Sequence, residues 1–379
     1  MRFEELLERW ETGRLSHGEA AAALGVSERT FRRWRGRYGE EGAAGLVDRR
    51  IGKPSPRRAP EDELQRMLRL YHEHYAGFVI RHFHDVLCRR HGYQLGYTTT
   101  RLWLQKSGAV AAAAKRGAHR RKRPRRPMVG MMLHQDASTH AWLVGQPPLD
   151  LVITLDDATS ALYSAVLVEQ EGTASSLLGL AEVIGRHGLF IELYTDRGSH
   201  YFHTPAAGGK VSKTQLTQVG RALKQLGIGH IAAYSPQARG RCERAFRTLQ
   251  DRLPKELRLA GITTVAAANR YLRETWLSEH NARFAVTPEE SASAFITVPP
   301  ELWRDVLCVQ EERQVGNDNC VRWRGRVLQI PPSPLRPHFV RATVRLHEYP
   351  DGAVAIFNGP HRLATFPAPA EPSAQNLAA

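Results

Sequence analysis

Cysteine is scarce and scattered. The four cysteines, Cys88, Cys242, Cys308 and Cys320, lie far apart and form no CxxC pair. A disulfide framework is not expected, and the reducing interior of a cell fits. Long apolar runs are missing too. None approaches the roughly 18 residues of a membrane span. The opening residues, Met1-Arg-Phe-Glu-Glu-Leu-Leu-Glu-Arg-Trp10, are amphipathic and acidic, unlike a secretory leader. Acidic residues are outnumbered, 38 against 53 Lys and Arg, for a net charge of +15. What is present suffices for packed cores, since 42% of residues are hydrophobic. A length of 379 residues predicts two to three domains.

The positive charge is unevenly placed. Residues 1–127 hold 28 basic and 14 acidic side chains, a net of +14, whereas residues 128–379 hold 25 and 24. A basic third joined to a nearly neutral remainder points to a polyanion-binding module attached to something else. Double-stranded DNA is the expected polyanion. A membrane surface is not, because no long helix pairs a basic face with a strongly apolar one.

Residues 1–50 predict three short helices. Phe3, Leu6, Leu7 and Trp10 stripe the first. Ser16-His-Gly-Glu19 is a capping box for the second, and Gly25 fits just past its end. In the third, Phe31, Trp34 and Tyr38 share a buried face, while Arg29, Arg32, Arg33, Arg35 and Arg37 occupy the remainder. Helix, turn and arginine-rich helix form the helix-turn-helix pattern, with those arginines as candidate DNA contacts. A bundle with a solvated basic face is the plainer alternative.

Residues 60–110 predict a second helical DNA-binding unit, joined to the first by a Pro-rich tether. Its last helix starts near Thr98, with Leu102 and Trp103 turned inward and Thr99 and Arg101 available to DNA. His84, Cys88 and His91 fall at i, i+4 and i+7, a spacing that raises zinc, although His72, His74, His82 and their neighbours read more simply as polar helix surface. Residues 111–127 form a basic linker. Lys115, Arg116, Arg120, Arg121, Lys122, Arg123, Arg125 and Arg126 crowd twelve positions, suited to tracking phosphates without reading bases.

The pattern changes at Met128. Strands are expected at 129–135, 149–155, 161–168, 189–195 and 228–234, and helices at 173–186, 215–226, 239–259 and 264–280. This order describes an α/β core, 128–285, with a mixed five-stranded sheet and helices on both faces. Residues 199–214 form a Gly-rich insertion. From 305 to 367 alternating patterns and the turn Tyr349-Pro-Asp-Gly352 predict a small β-barrel, followed by a disordered tail, 368–379.

Three acids stand at telling points of the α/β core. Asp136 is expected to end the first strand and Asp196 the fourth, and Glu243 lies in the first turns of the helix after the fifth. Ligands gather at strand ends in such sheets. Strand-end carboxylates opposite a helix carboxylate make an oxygen cage suited to two Mg²⁺ or Mn²⁺ ions. Asp156 and Asp157 read as turn residues. Arg239, Arg241 and Arg244 flank Glu243 and are candidates for holding substrate phosphates.

The resemblance is carried by Arg81-His-Phe-His84, Asp156-Asp-Ala-Thr-Ser160, Tyr194-Thr-Asp-Arg-Gly-Ser-His-Tyr201, Ala233-Tyr-Ser-Pro-Gln-Ala-Arg-Gly-Arg-Cys-Glu-Arg-Ala-Phe246 and Leu253-Pro-Lys-Glu-Leu-Arg-Leu-Ala-Gly-Ile262. In these stretches the chain resembles bacterial insertion-sequence transposases of the ISNCY group, within the retroviral-integrase superfamily. The resemblance implies a ribonuclease-H-like core and an Asp-Asp-Glu triad of Asp136, Asp196 and Glu243. It also implies binding to terminal inverted repeats, 3′-end hydrolysis, joining to target DNA, and at least a homodimer on DNA in a bacterial cytoplasm. Ala137 stands where many relatives carry Gly, and the insertion lengthens the gap between the second and third acids. A catalytically inert repressor and a repair nuclease are the rival functions.

Overall fold

The computed structural model describes residues 3–48, 51–52, 58–112, 123–206, 209–212, 214–234, 240–334 and 336–369. Of the expected site residues, Lys115, Arg116, Arg120, Arg121, Lys122 and Arg239 lie outside this set, as does most of the expected tail. The chain divides into two compact units, one of residues 1–76 and 84–111, the other of residues 77–83 and 112–379.

The first unit opens with helices α1 (Phe3–Glu11), α2 (His17–Ala23) and α3 (Glu28–Glu41). The capping box forms as its spacing predicts. The Ser16 hydroxyl accepts from the Glu19 N–H at 3.2 Å, and the Glu19 carboxylate accepts from the Ser16 N–H at 2.8 Å. Gly25 turns the chain at φ +68°, a conformation that strains side-chain-bearing residues. Phe31 is fully buried against Ala20 and Ala21, with Phe3, Trp10 and Val26 packed around them. Helices α4 (Glu61–His74), α5 (Ile80–His91) and α6 (Tyr97–Lys106) follow, the start of α5 belonging to the second unit. The inward face of α6 is Thr100 and Leu104. Leu102, expected inward, is 54% exposed, because the helix begins at Tyr97 and its phase puts position 102 outside.

The second unit holds the mixed five-stranded sheet that the order of strands and helices predicts. Its strands are β1 (Met132–His140), β2 (Leu149–Asp156), β3 (Leu162–Val168), β4 (Glu192–Thr195) and β5 (Gly229–Ala232), in the order β3-β2-β1-β4-β5. The first three pair antiparallel, and β4 pairs parallel to both β1 and β5. Helices α7 (Thr173–His187) and α8 (Gln218–Gln225) cover one face through Leu177, Leu180, Val183, Val219 and Leu223, packed on Leu133 and Leu193. On the other face lie α9 (Gly240–Leu259), α10 (Val265–Tyr271) and α11 (Leu277–Phe284), the last two joined by a π-helical turn over Leu272–Trp276. Phe246, Leu249, Leu253 and Leu272 there bury Leu151, Ile153 and Leu155 of β2. Alternate residues of β1 therefore belong to different helical layers.

Among the described residues the C-terminal β region is an open sheet and a hairpin, not the closed barrel expected. Strands β6 (Val309–Gln314), β9 (Thr343–Glu348), β10 (Val354–Asn358) and β11 (His361–Phe366) form an open sheet in the order β11-β10-β9-β6. Strands β7 (Cys320–Trp323) and β8 (Arg326–Gln329) form a separate hairpin. Val321, Trp323 and Leu328 from the hairpin close the core of Val344, Leu346, Val354 and Ile356 without pairing the sheet's edges. The hairpin turns through Arg324 at φ +45° and Gly325 at φ +75°, two positive angles that match a tight turn to the strand twist.

Candidate active site

Asp136 sits in the middle of β1 rather than at its end, opposite Ile153 of β2. The strand runs on past the expected stop because β2 continues to pair with it as far as His140. On the other side β4 pairs only with Met132, Leu133 and His134, the last opposite Tyr194. Two residues further along the same parallel register, Asp136 comes level with Asp196, just beyond the end of β4. Adjacent strands lie about 4.8 Å apart, and level residues of parallel strands face the same way. That face belongs to α9. Ile153, opposite Asp136, packs with Phe246 and Leu249, and Ser138, two residues along β1, accepts from the Gln250 side chain at 2.8 Å. Glu243 is in the first turn of α9, seven residues before Gln250 and on the same helical face.

The three acids differ in exposure. Asp136 is buried, Asp196 half-buried and Glu243 exposed. The Asp136 carboxylate accepts from the Ala137 N–H at 3.0 Å, and that of Asp196 from the Gly198 N–H at 2.9 Å. Among the described residues no group of three His, Cys, Asp or Glu side chains is gathered closely enough to hold a metal ion. The register brings Asp136 level with Asp196, and Glu243 stands in the first turn of α9, the helix that covers their face. The level pair offers carboxylate oxygens, a donor set that suits Mg²⁺ or Mn²⁺.

Beneath the level pair, on the other face, sits a polar layer that sequence reasoning missed. Tyr201 is buried, and its hydroxyl donates to Gln135 at 3.1 Å and accepts from Ser176 at 3.2 Å. Burial first, then the charge of Glu171, pushes its phenol well above the ordinary range. Asp136 and Asp196 push the same way, so all three carboxylates lie within electrostatic reach. Nothing in the local sequence marks Tyr201 as buried, because it belongs to an irregular insertion.

Asp157 is in the turn expected of it, but it is fully buried and densely partnered. It pairs with Arg123, accepts from the Arg126 N–H at 2.8 Å, contacts His134 Nε2 at 2.7 Å and lies 3.1 Å from Arg241 Nε. Burial alone would raise its carboxyl. The His134 bond, the Arg126 N–H and the Arg241 charge outweigh that and hold it below the usual carboxylate range. The adjacent Asp156, also buried, accepts from the N–H groups of Gly130 and Thr159 and from the Thr159 hydroxyl, a turn-building role.

The expected DNA contacts separate by environment. Arg29, Arg32 and Arg33 are exposed along one face of α3. Arg35 instead stacks over Trp10 at 4.4 Å and contacts His17 at 3.2 Å, and Arg37 donates to the Val47 carbonyl at 2.7 Å. Both brace the helical unit. Thr99 is half-buried, and Arg101 and Arg244 are exposed. Arg125 donates to the carbonyls of Asp157 and Ala158 at 2.9 and 3.1 Å, and Arg126 reaches Glu192 at 2.7 Å. Arg241 donates to the carbonyls of Pro124 and Arg123 at 2.8 and 3.1 Å. These groups already serve the protein itself. In the region that raised zinc, His84 contacts the Leu95 carbonyl at 3.0 Å and His91 contacts the Tyr75 hydroxyl at 2.8 Å. His82, expected at a polar surface, is fully buried, stacked on Phe78 and 2.7 Å from Glu256 of α9.

Residues 6–65 match the family described as winged helix-turn helix, a span that includes α2 and α3. Across 357 residues the chain is 31% identical to y4bF of Sinorhizobium fredii (strain NBRC 101917 / NGR234), which carries a transposase name; the match covers 93% of this chain and 77% of that protein. It is 26% identical over 370 residues to the transposase for insertion sequence IS1202 of Streptococcus pneumoniae, covering 88% and 78%. Two integrase structures also match at 16% identity. One is the HTLV-2 integrase catalytic core domain in complex with magnesium (dimeric form), at a TM-score of 0.29, covering 38% of this chain and 84% of that one. The other is the simian T-cell lymphotropic virus intasome in complex with PP2A regulatory subunit B56 gamma, at 0.32, covering 74% and 93%. TM-scores this low carry no weight for function. Identity sustained across nearly the whole of the chain does, and the chain belongs to the insertion-sequence transposase family.

Proposed function

We propose that this transposase binds the terminal inverted repeats of its own element, hydrolyses the phosphodiester at each 3′ end, and joins the freed 3′-OH to target DNA. The register that sets Asp136 level with Asp196, on the face that α9 covers, carries this reading. Asp136 and Asp196 would hold a pair of Mg²⁺ or Mn²⁺ ions, with Glu243 of α9 completing the donor set. Bound ions of this kind lower the barrier to in-line displacement at phosphorus by stabilising charge on the attacking and leaving oxygens. The protein's own part is to fix the carboxylates. The long pairing of β1 with β2 holds Asp136, the Gly198 N–H orients Asp196, and the Gln250–Ser138 bond sets the rotation of α9. The triad supplies no nucleophile, so no covalent protein–DNA intermediate forms. Two element ends must be processed together, which calls for at least a dimer on DNA.

Asp136→Asn, Asp196→Asn and Glu243→Gln test the triad. Each keeps the side chain's shape and removes the charge. Cleavage and strand transfer of a terminal-repeat duplex in Mg²⁺ should fall at least about 1,000-fold in each, several kcal/mol of barrier, while repeat binding by mobility shift stays intact. Chelation by EDTA should arrest the unaltered protein. Full cleavage by the Glu243→Gln protein would remove it from the triad, and loss of binding in all three would assign the acids to the fold.

A further inference from the structure

The fully buried Asp157 joins three segments whose relative placement matters to the site. From the linker come the Arg123 side chain and the Arg126 N–H. From β1 comes His134, two residues before Asp136. From α9 comes Arg241, two residues before Glu243, which also grips the carbonyls of Arg123 and Pro124. Arg125 closes over the same turn through the Ser160 hydroxyl at 2.9 Å, and Arg126 ties the strap to Glu192, the first residue of β4. A turn former needs none of this. One buried carboxylate facing so many donors is a fastening point, and removing its charge takes away the one group that these donors share.

We propose that Asp157 is a positioning residue for the reaction, clamping the end of the linker and the first turn of α9 to β1 so that the turn bearing Glu243 keeps its place beside the strand bearing Asp136. The proposal rests on the triad reading for its effect on rate. The clamp itself is a separate structural claim. Asp157 touches no reacting atom in this scheme. Its loss acts through the placement of Glu243 and should lower turnover more than DNA affinity, since a misplacement of about 1 Å can cost about 100-fold.

Limited trypsinolysis and kinetics of the full-length protein test this. In the unaltered protein the Arg125–Arg126 bond is pinned and should resist trypsin. Asp157→Asn should raise cutting after Arg125, read by mass spectrometry, at least about tenfold. It should also lower kcat for terminal-repeat cleavage about 100-fold with KM changed less than about threefold. Arg241→Gln leaves the other partners of Asp157 in place and should show the same two effects more weakly, so the test survives if Asp157→Asn does not fold. Asp136→Asn should leave Arg125 protected. If Asp136→Asn remained active while Asp157→Asn exposed Arg125, the clamp would stand and the triad reading would fall. Unchanged protection in both clamp variants, or an effect confined to KM, would overturn the proposal.

Discussion

At the residue scale, burial settles roles that residue type leaves open. His280 is buried and His230 half-buried, and desolvation is the first cause pushing both imidazoles down from 6.5 to about 4, helped at His280 by Arg252 and Arg283. His230 stacks on Phe202 at 4.0 Å and contacts the Thr195 hydroxyl at 3.0 Å, and His280 lies between Trp276 and Phe284. Each folded-state pKa lies below the unfolded one. As pH falls the unfolded chain therefore takes up protons first, and stability that is whole above about pH 6.5 drains away toward pH 4. Each histidine accounts for roughly 3 kcal/mol over that window, and the pair for roughly 2.5 kcal/mol per pH unit near pH 5. Urea denaturation between pH 7 and 4.5 checks this, and His230→Gln should lower the slope by roughly 1.2 kcal/mol per pH unit near pH 5. An unchanged slope would mean that the imidazole is solvated. No local pattern marks either histidine as desolvated. The same limit made Asp157 read as a plain turn residue, since the partners that give it a role lie 23 to 84 positions away.

At the element scale, helix α9 shows tertiary packing overriding a local rule. Proline is disfavoured in a helix interior, yet the helix runs from Gly240 to Leu259, as its pattern predicts, with Pro254 inside it. Proline in a helix interior removes the bond to the carbonyl four residues back, that of Gln250, and costs about 3 kcal/mol. Leu249, Leu253 and Leu257, all buried against the sheet, hold the helix together on both sides of the defect, and Glu256 meets His82 there. Pro254→Ala should therefore stabilise the protein by about 2 kcal/mol, after the entropy that proline removes from the unfolded chain is discounted. Denaturant midpoints check it, and a neutral or destabilising result would mean the proline ring itself fills the core. Much of the sheet was legible because each strand and helix carries its own periodicity, and the antiparallel-then-parallel order follows from the connections. The length of β1 was not, because its extension to His140 depends on β2, nor was the phase of α6 that exposes Leu102. Alternation in the C-terminal strands predicted β structure correctly, but whether edge strands meet is decided by long-range pairing, and here β6 and β11 stay apart.

For the whole molecule, the governing fact is that +14 of the +15 charge lies in residues 1–127. The level carboxylates lie in the nearly neutral remainder, so under the proposed function mutations should separate affinity from chemistry. The basic side chains themselves divide further. Arg29, Arg32 and Arg33 share an exposed helical face of a helix-turn-helix, the arrangement that reads base edges, whereas Lys115, Arg116, Arg120, Arg121 and Lys122 form a charge run suited to phosphates. The two groups should fail differently. Replacing the five linker residues with Gln should weaken binding to every duplex alike. It should also flatten the plot of log affinity against log salt by up to about 4.5, at roughly 0.9 for each phosphate no longer neutralised. Replacing Arg29, Arg32 and Arg33 with Ala should instead narrow the gap between terminal-repeat and unrelated DNA, by about 1–3 kcal/mol for each base-reading side chain removed. Fluorescence anisotropy titrations across a salt series, on both duplexes, measure both quantities at once. If the α3 variant bound more weakly but discriminated as well as before, those arginines would be phosphate ligands, and sequence reading would fall to another element such as the exposed face of α6 with Arg101.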